Sequence, residues 1–283
     1  MCSALRPGSF SLRAVLVFLA MTMAGSASNG QDPPGATPDE SPAKRRLEVM
    51  RKALDDLRVT STAISSPAAL KFGQHPLLRY SDQTRGLLDA AVWRLGERGR
   101  PTALVTLELY QPREGAEALS YEFLSLSTAP LEMQSARGIK WAPASSELKM
   151  LPLEGAPLRA ESPRARLTQL RQLAQRFSAR EELQNDQIEC RLLPQPIDRY
   201  NDAKNGILDG AVFAFANGTN PEVGLILECS EKEWSYGAFR LSAAALAAEL
   251  DDKTVFTAEK VNSLNGPVSS PYLAKRHPID LPE

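Results

Sequence analysis

The sequence predicts an α+β fold of two tandem pseudo-repeats, each an N-terminal helix followed by a four- to five-stranded antiparallel sheet. The first observation is an internal repeat: residues 79–109 recur at 199–229 without a gap, at an offset of 120, with 11 identities in 31 positions. The second is that each half opens with leucines at helical spacing. The third is that apolar residues then alternate along short segments bounded by turn residues, which is typical of strands.

The helices are predicted over Arg46–Arg58 and Arg166–Phe177. Each is preceded by a Ser-Pro pair, Ser41-Pro42 and Ser162-Pro163, which is a helix-start signal. Asn217-Gly218 is a strong hairpin signal between two strands of the second half. The predicted strands are Asp89–Leu95, Thr102–Tyr110, Ser120–Ser127, Gln187–Leu193, Asp209–Phe215, Glu222–Cys229 and Ser235–Ser242.

The chain divides into six segments. Arg6 and Arg13, the apolar run 14–24 and the small residues 25–27 predict a signal peptide, and the run is too short to span a membrane of about 20 residues comfortably. We therefore expect export to the periplasm, cell envelope or exterior, with no stable membrane span after cleavage; the alternative is an uncleaved N-terminal anchor. The segments are a signal peptide (1–27), a disordered Pro-rich linker (28–43), repeat 1 (44–143), a connector (144–163), repeat 2 (164–260) and an irregular tail (261–283).

Charge and motifs limit the classes of function. The chain has 33 basic and 34 acidic side chains, a formal net charge of −1. Nucleic-acid-binding proteins usually carry a basic face or a high pI, so no nucleic-acid partner is predicted. The sequence has no phosphate loop, paired metal ligands or nucleophile elbow, and its histidines, His75 and His277, lie far apart. No cofactor, metal site or catalytic residue is predicted.

The duplicated polar residues are the candidates for a ligand site. Arginine binds anions as a fork and tyrosine donates a hydrogen bond, so a ligand-binding interpretation is open for them. The structural interpretation is favoured, because Asp-x-x-x-Gly is turn chemistry and both copies keep the residues. Trp234 is added because its aligned residue, Leu119, is not aromatic. The candidate ligand-binding residues are Arg79, Tyr80, Asp82, Arg199, Tyr200, Asp202 and Trp234.

Cys190 and Cys229 are the cysteines that remain after signal cleavage. They replace Leu70 and Leu109 of the first half, and both fall on apolar strand faces. In an oxidising compartment this favours a disulfide between them, and the alternative is two separate buried thiols.

Several phrases of the second half resemble a known family. They are Leu192-Leu193-Pro194-Gln195-Pro196, Arg199-Tyr200, the run Asp209–Phe215 and Asn220-Pro221-Glu222-Val223, after an Arg-Leu-x-x-Leu-Arg helix. With them the chain is similar to internally duplicated exported proteins, of unknown function, of planctomycete bacteria. The resemblance implies bacterial export and a duplicated α+β body, and it implies no activity, ligand or catalytic residue.

Three hypotheses of function follow. The preferred one is an exported, non-catalytic binding or cell-envelope module whose partner is an unidentified ligand or envelope component. The alternatives are a hydrolase, of envelope glycan or another substrate, that uses Asp, Glu, Tyr and Arg, and a structural protein that self-associates through its edge strands. If the Arg-Tyr-x-Asp residues bond inward, function is expected in the parts that differ: the connector, Trp234 and the tail.

Signal cleavage is directly testable. Export of the full chain from a bacterial host should remove residues 1–27, because a basic segment, an apolar run and small residues occur in the order that signal peptidase requires. Intact-mass measurement should then give a chain that begins at Ser28. Leu16→Arg, which charges the apolar run, should leave the protein unprocessed. A full-length chain retained in the membrane fraction would instead support the anchor.

Overall fold

Antiparallel strands make up most of the chain. The computed structural model describes residues 41–61, 69–111, 116–183, 186–261, 264 and 266–279. These contain eighteen strands and two α-helices, of 14 and 12 residues. The predicted α+β class is therefore wrong: the protein is mostly β, with large curled sheets. The signal peptide and residues 28–40 of the linker lie outside the described residues.

The first half begins with helix α1, Pro42–Asp55, which starts four residues before the position that the leucine pattern alone predicts. Its strands are β1 Leu57–Ser61, β2 Ala69–Leu70, β3 Leu78–Asp82, β4 Leu87–Leu95, β5 Ala103–Tyr110, β6 Ala118–Ser125, β7 Leu131–Ser135 and β8 Lys140–Trp141, and the connector adds β9 Leu151–Pro152.

The second half begins with helix α2, Pro163–Ala174, where the hydroxyl of Ser162 accepts from the amide of Ala165 at 3.2 Å as an N-cap. Its strands are β10 Phe177–Leu183, β11 Asp186–Leu192, β12 Asp198–Asp202, β13 Ile207–Asn217, β14 Asn220–Ser230, β15 Trp234–Arg240, β16 Ala245–Leu250 and β17 Lys253–Ala258, and the tail adds β18 Tyr272–Pro278.

The strands form three sheets. One has the order β2-β1-β7-β8, and a second has the order β18-β6-β5-β4-β3. The third contains nine strands, in the order β17-β16-β10-β11-β13-β14-β15-β9 with β12 also paired to β13. The nine-stranded sheet curls, so that β16 lies against β14 and β17 against β15.

The halves are not two separate helix-and-sheet units. In the second half β11 pairs with β13 at Arg191 and Leu192, which joins all the strands into one sheet. The equivalent join in the first half is a single bridge between Phe72 and Leu95, so its strands are split between two sheets. Helix α1 packs against β1, β4 and β5, and helix α2 packs against β13 and β14.

The connector and the tail, which showed no apolar period, also supply strands. Strand β9 pairs with β15, and β18 pairs with the whole of β6. The first three residues of β18, 272–274, are all buried. Because a strand buried on both faces has no alternation to detect, the period-two pattern misses it.

The central strands are likewise buried on both faces. In β13, Phe213 and Phe215 lie in the core of the second half, whereas Val212 and Ala214 lie in a core between the halves, and β4 is divided in the same way. We call the core between the halves the shared core. Its members are Tyr80, Leu87, Ala90, Val92, Leu104, Leu124, Leu126, Tyr272 and Ala274 on one side, and Tyr200, Val212, Ala214, Ile226, Phe239 and Leu241 on the other.

Buried carboxylates border the shared core. Glu108 accepts hydrogen bonds from the hydroxyls of Tyr80 and Tyr110, both at 3.0 Å, and burial raises its pKa. Glu222 is 1% exposed, and burial raises its pKa to about 7. The Arg85 guanidinium of the first half lies 3.5 Å from Glu222 and 3.7 Å from Glu181 of the second half. One cation therefore links the two halves through a carboxylate pair.

Glu222 should make stability depend on pH. Because the pKa of Glu222 is higher in the folded than in the unfolded state, deprotonation of this carboxyl lowers the free energy of unfolding. This loss is absent below about pH 4.5 and grows as pH rises to about 7. Its full size should be about 2–3 kcal/mol. Denaturant titrations from pH 4 to pH 8 should show stability falling through this window. The fall should be smaller in Glu222→Gln, which should exceed the wild type at pH 8.

The control for this prediction is Glu189→Gln, which changes an exposed carboxylate of β11 in the same sheet. It should keep the wild-type profile. Identical profiles for Glu222→Gln and the wild type would contradict the prediction.

Candidate functional site

The candidate arginines bind buried aspartates. Arg79 donates from Nε to Asp89 at 2.8 Å, and Arg199 donates from Nε and Nη2 to Asp209 at 2.9 and 2.7 Å. Both aspartates are 3% exposed. A second arginine, from the helix that opens each half, reaches the same carboxylate at 3.1 Å: Arg46 to Asp89 and Arg166 to Asp209.

Arg79 and Arg199 also connect their sheets to the helices. Arg79 donates to the carbonyl of Ala43 and Arg199 donates to that of Pro163, which are residues of the first turns of α1 and α2. The guanidinium is thus divided between a buried carboxylate and a backbone oxygen. This arrangement fastens each helix to its sheet, in contacts that match at the offset of 120.

The candidate tyrosines and aspartates also bond inward. Tyr80 donates to Glu108, and Tyr200 donates to Glu228 at 2.7 Å. Asp82 accepts from the amides of Thr84 and Arg85, at the start of the 3₁₀ turn Gln83–Arg85.

Asp202 starts the equivalent turn, Ala203–Asn205, and accepts from the amide of Asn205 at 3.4 Å. Gly86 and Gly206 end the two turns at φ of 71° and 73°, a backbone conformation that favours glycine. The aspartates and glycines therefore perform turn chemistry.

The second copy of these residues borders a cleft. Arg199, Tyr200 and Asp202 line a space of about 530 Å³ together with Arg98 and Lys204. The first two are engaged by Asp209 and Glu228, so the cleft gains little free hydrogen-bonding capacity from them. None of the five cavities identified in the described part of the chain is lined by a residue of the first Arg-Tyr-x-Asp set.

Trp234 is 4% exposed and lies in the core of the second half. Its indole donates to the carbonyl of Pro157 in the connector at 2.9 Å. A buried ring leaves no open face for a ligand to stack on, so the predicted ligand-binding role of Trp234 gains no support from its position.

The disulfide between Cys190 and Cys229 is not formed, and both residues are buried free thiols. Strand β13 separates their strands. Cys190 is next to Arg191, which pairs with Ala216, and Cys229 pairs with Asp209 at the other end of β13. About eight residues along the strand correspond to ~25 Å, whereas a disulfide needs Cα atoms within about 7 Å.

The largest of the described cavities adjoins the connector and the tail. It has a volume of about 830 Å³, and we call it the connector groove. Its walls are Ser146, Glu147, Lys149 and Leu151 of the connector, Tyr236, Ala238 and Arg240 of β15, the run 255–261, and Ser270 and Tyr272 of the tail. The groove therefore lies among the segments that differ between the halves.

The run 255–261 borders the groove, and its first four residues, 255–258, are consecutive residues of β17. Alternate side chains of a strand point to opposite faces, so an unbroken run can line a cavity only along the strand's edge. Strand β17 pairs with β16 alone among the strands of the described segments. The groove consequently exposes the backbone of an unpaired strand edge.

Arg240 forms the floor of the groove and is 6% exposed. Its Nη2 donates to the carbonyls of Glu259 at 2.6 Å and Ala244 at 3.2 Å, and its guanidinium lies 5.0 Å from the ring centre of Tyr272. Its Nε has no partner, and no carboxylate lies within 4.0 Å among the described residues. Burial lowers its pKa.

A buried cation without a counterion is costly in a folded protein. In the connector groove, carbonyl dipoles, one aromatic face and the more distant carboxylates of Glu122 and Glu147 surround the Arg240 charge, and none of these carboxylates lies within ion-pair distance. The exposed side chains around it carry both signs: Lys149 and Lys260, with Glu147 and Glu259. The groove can therefore accept an anionic group at its floor and polar groups at its rim.

Arg240 is not among the ligand-binding residues that the sequence predicts. The residue has no basic counterpart in the first half, where the aligned residue is Ser125. A signal was present, since Arg240 shares the strand face of Tyr236 and Ala238, and an arginine on an apolar face needs a partner.

No group of acidic, histidine or cysteine side chains that could hold a metal occurs within the described ranges. Neither of the described helices is long and apolar enough to cross a bilayer.

The paired aspartates should be essential to stability. Asp209→Ala removes the counterion of Arg166 and Arg199, so unfolding free energy should fall by about 3–5 kcal/mol. Glu231→Ala, which breaks an exposed pair with Arg159 at 3.1 Å, should cost less than about 1 kcal/mol. Urea unfolding of both variants checks this. Equal losses of unfolding free energy in the two variants would contradict the prediction that buried Asp209 contributes more to stability than exposed Glu231.

No protein-family model matches this chain, and no curated protein or solved structure matches it either.

Proposed function

We propose that the protein is an exported, non-catalytic binding module that takes an extended peptide segment with a carboxylate into the connector groove. The observation that carries this proposal is the buried guanidinium of Arg240 in the wall of the groove, which has no carboxylate within 4.0 Å among the described residues. The proposal agrees with the export and the planctomycete resemblance expected from the sequence, both of which remain predictions.

The charge of Arg240 selects the anionic group. Its Nε is buried and has no partner, so a carboxylate oxygen that reached it would satisfy a donor and neutralise a charge together. Charge-assisted hydrogen bonds of this kind are about twice as strong as neutral ones. The face of Tyr272 on one side of the guanidinium restricts the direction of approach.

The free edge of β17 selects a peptide over a compact small molecule. An extended peptide can add to a strand edge through main-chain hydrogen bonds, while pockets for alternate side chains give specificity. Tyr236 and Phe256 offer apolar contacts along the same groove, and Lys260 and Glu259 offer polar ones. An edge that is left unpaired in a curled sheet is available for this pairing.

The hydrolase alternative has less support. Glu108 and Glu222, whose pKa values are raised, are 5% and 1% exposed. Tyr80, Tyr110 and Arg85 surround them inside the fold. A glycan would have no open carboxylate pair to meet there. Self-association through an edge strand stays an alternative, and the oligomeric state measured at high concentration distinguishes it.

Random hexapeptide pools test the proposal. Both pools lack Asp and Glu, so that the C-terminus is the only carboxylate. Immobilised protein should retain the pool with free C-terminal carboxylates at least tenfold more than the same pool with C-terminal amides, because only the acids can then bind Arg240. A backbone N-methylated acid pool should not be retained, since it cannot pair with β17. Mass spectrometry of the retained fraction measures both.

Variants complete the test. Arg240→Gln should lower retention of the acid pool about tenfold, and Arg240→Lys, which keeps a charge, should fall between it and the wild type. Arg276→Gln is the matched control, because Arg276 stacks on Tyr110 at 4.4 Å as Arg240 does on Tyr272, but does not line the groove. Equal retention of acids and amides, or full retention by folded Arg240→Gln, would overturn the proposal.

A further inference from the structure

We infer that a second cleft, beneath helix α2, is a binding site for an amphipathic anion with a flat or branched apolar body. This helix cleft has a volume of about 660 Å³ and is separate from the connector groove. Its lining is mostly apolar or aromatic and contains two arginines. The lining residues that carry the argument are Arg171, Gln175, Cys190, Leu192, Phe213 and Phe215.

A comparison of the two repeats shows where the second half has smaller side chains than the first. Cys190 stands at the position of Leu70, Leu192 at that of Phe72, and Phe213 at that of Trp93. In the first half these three larger side chains pack into the core, where the indole of Trp93 is 1% exposed. In the second half a thiol, a leucine and a phenyl ring occupy the same places. The smaller set leaves room between α2 and the sheet.

The remaining wall has become aromatic. Phe215 stands where the first half has Leu95, so one position grew while its neighbours shrank. With Phe177 and Phe213 it gives the cleft three phenyl rings. Aromatic walls favour a flat or branched apolar body, which can stack on or insert between the rings.

The same comparison shows an arginine that has lost its counterion. In the first half Arg51 lies 3.2 Å from Asp55, one helical turn on, and donates to the carbonyl of Gly73 at 2.8 Å. The equivalent pair is Arg171 and Gln175, so the carboxylate is replaced by a neutral amide.

Arg171 keeps only one contact, from Nη2 to the side-chain oxygen of Gln195. Its Nε is buried without a partner, and no carboxylate lies within 4.0 Å of it in the described part of the chain. Glu189, also in the lining, is exposed and beyond that distance, and Arg191 adds a second positive charge. The cleft therefore presents an unpaired guanidinium beside an apolar cavity.

These changes coincide at one place and act in the same direction. Four exchanges reshape the apolar cavity, and a fifth leaves an arginine at its mouth without a counterion. A ligand that combines an apolar body with one carboxylate or sulfonate group would satisfy both. This site does not depend on the connector groove or on the peptide proposed there.

Fluorescence titration with 8-anilinonaphthalene-1-sulfonate, an aromatic sulfonate, tests the inference. The wild type should bind one equivalent saturably, with enhanced emission. Gln175→Asp restores the first-half ion pair and should weaken binding about tenfold, because the sulfonate must then compete with a carboxylate. Cys190→Leu with Phe213→Trp restores the first-half bulk and should abolish the saturable signal.

The first half supplies the control. Asp55→Gln frees Arg51 in the same way, but Leu70, Phe72 and Trp93 still fill the apolar space, so no second binding event should appear. Circular dichroism must show native spectra for each variant. If the double variant does not fold, Gln175→Asp alone decides, since its side chain is exposed. Unchanged affinity in folded Gln175→Asp, or no saturable binding by the wild type, would overturn the inference.

Discussion

The packing of the two halves against each other governs most of the structure. Strands β4 and β13 each have one face in the core of their own half and the other in the shared core, so neither face meets water. Buried carboxylates on these strands must therefore find partners inside the protein. Asp89 and Asp209 do so with two arginines each, which in turn hold the helices in place.

The repeat is informative because some positions carry the same residue in both copies and others do not. Residues that match, such as Arg79 and Arg199, make equivalent contacts and belong to the scaffold. Residues that do not match border the connector groove and the helix cleft. Arg240 is aligned with Ser125, and Gln175 is aligned with Asp55. The scaffold thus fixes where each strand lies, and the unmatched positions decide what each surface can bind.

Sequence reasoning located the local elements better than their assembly. The hairpin strands β13 and β14, the Ser-Pro helix starts and the aspartate turns lie where pattern and turn chemistry predicted them. The fold class was wrong, because β9 and β18 lack apolar alternation and because sheet curling leaves no trace in a linear pattern. The cysteine pairing failed for a related reason, since a shared face on two strands says nothing about distance along the strand between them.

The candidate site shows the same division. Turn roles for Asp82 and Asp202 followed from Asp-x-x-x-Gly, but the aspartate that each arginine binds could not be read from spacing. Arg240 was missed because its importance depends on what is absent around it: a cation on an apolar face reveals a missing partner only after its neighbours are placed. The connector and the tail had been named as places to search, and both contribute to the groove.

The pairing of β18 with β6 has a consequence for the order of assembly. During synthesis the second half, from α2 through β17, can gather its own strands as they emerge, since nearly all their partners are close in sequence. The five-stranded sheet of the first half must keep one edge open until residues 272–278 have been made. Contacts of this sequence separation form slowly, and an open edge invites the wrong partner in the meantime. The first half is thus translated before the second, but its five-stranded sheet is among the last parts of the fold to be completed.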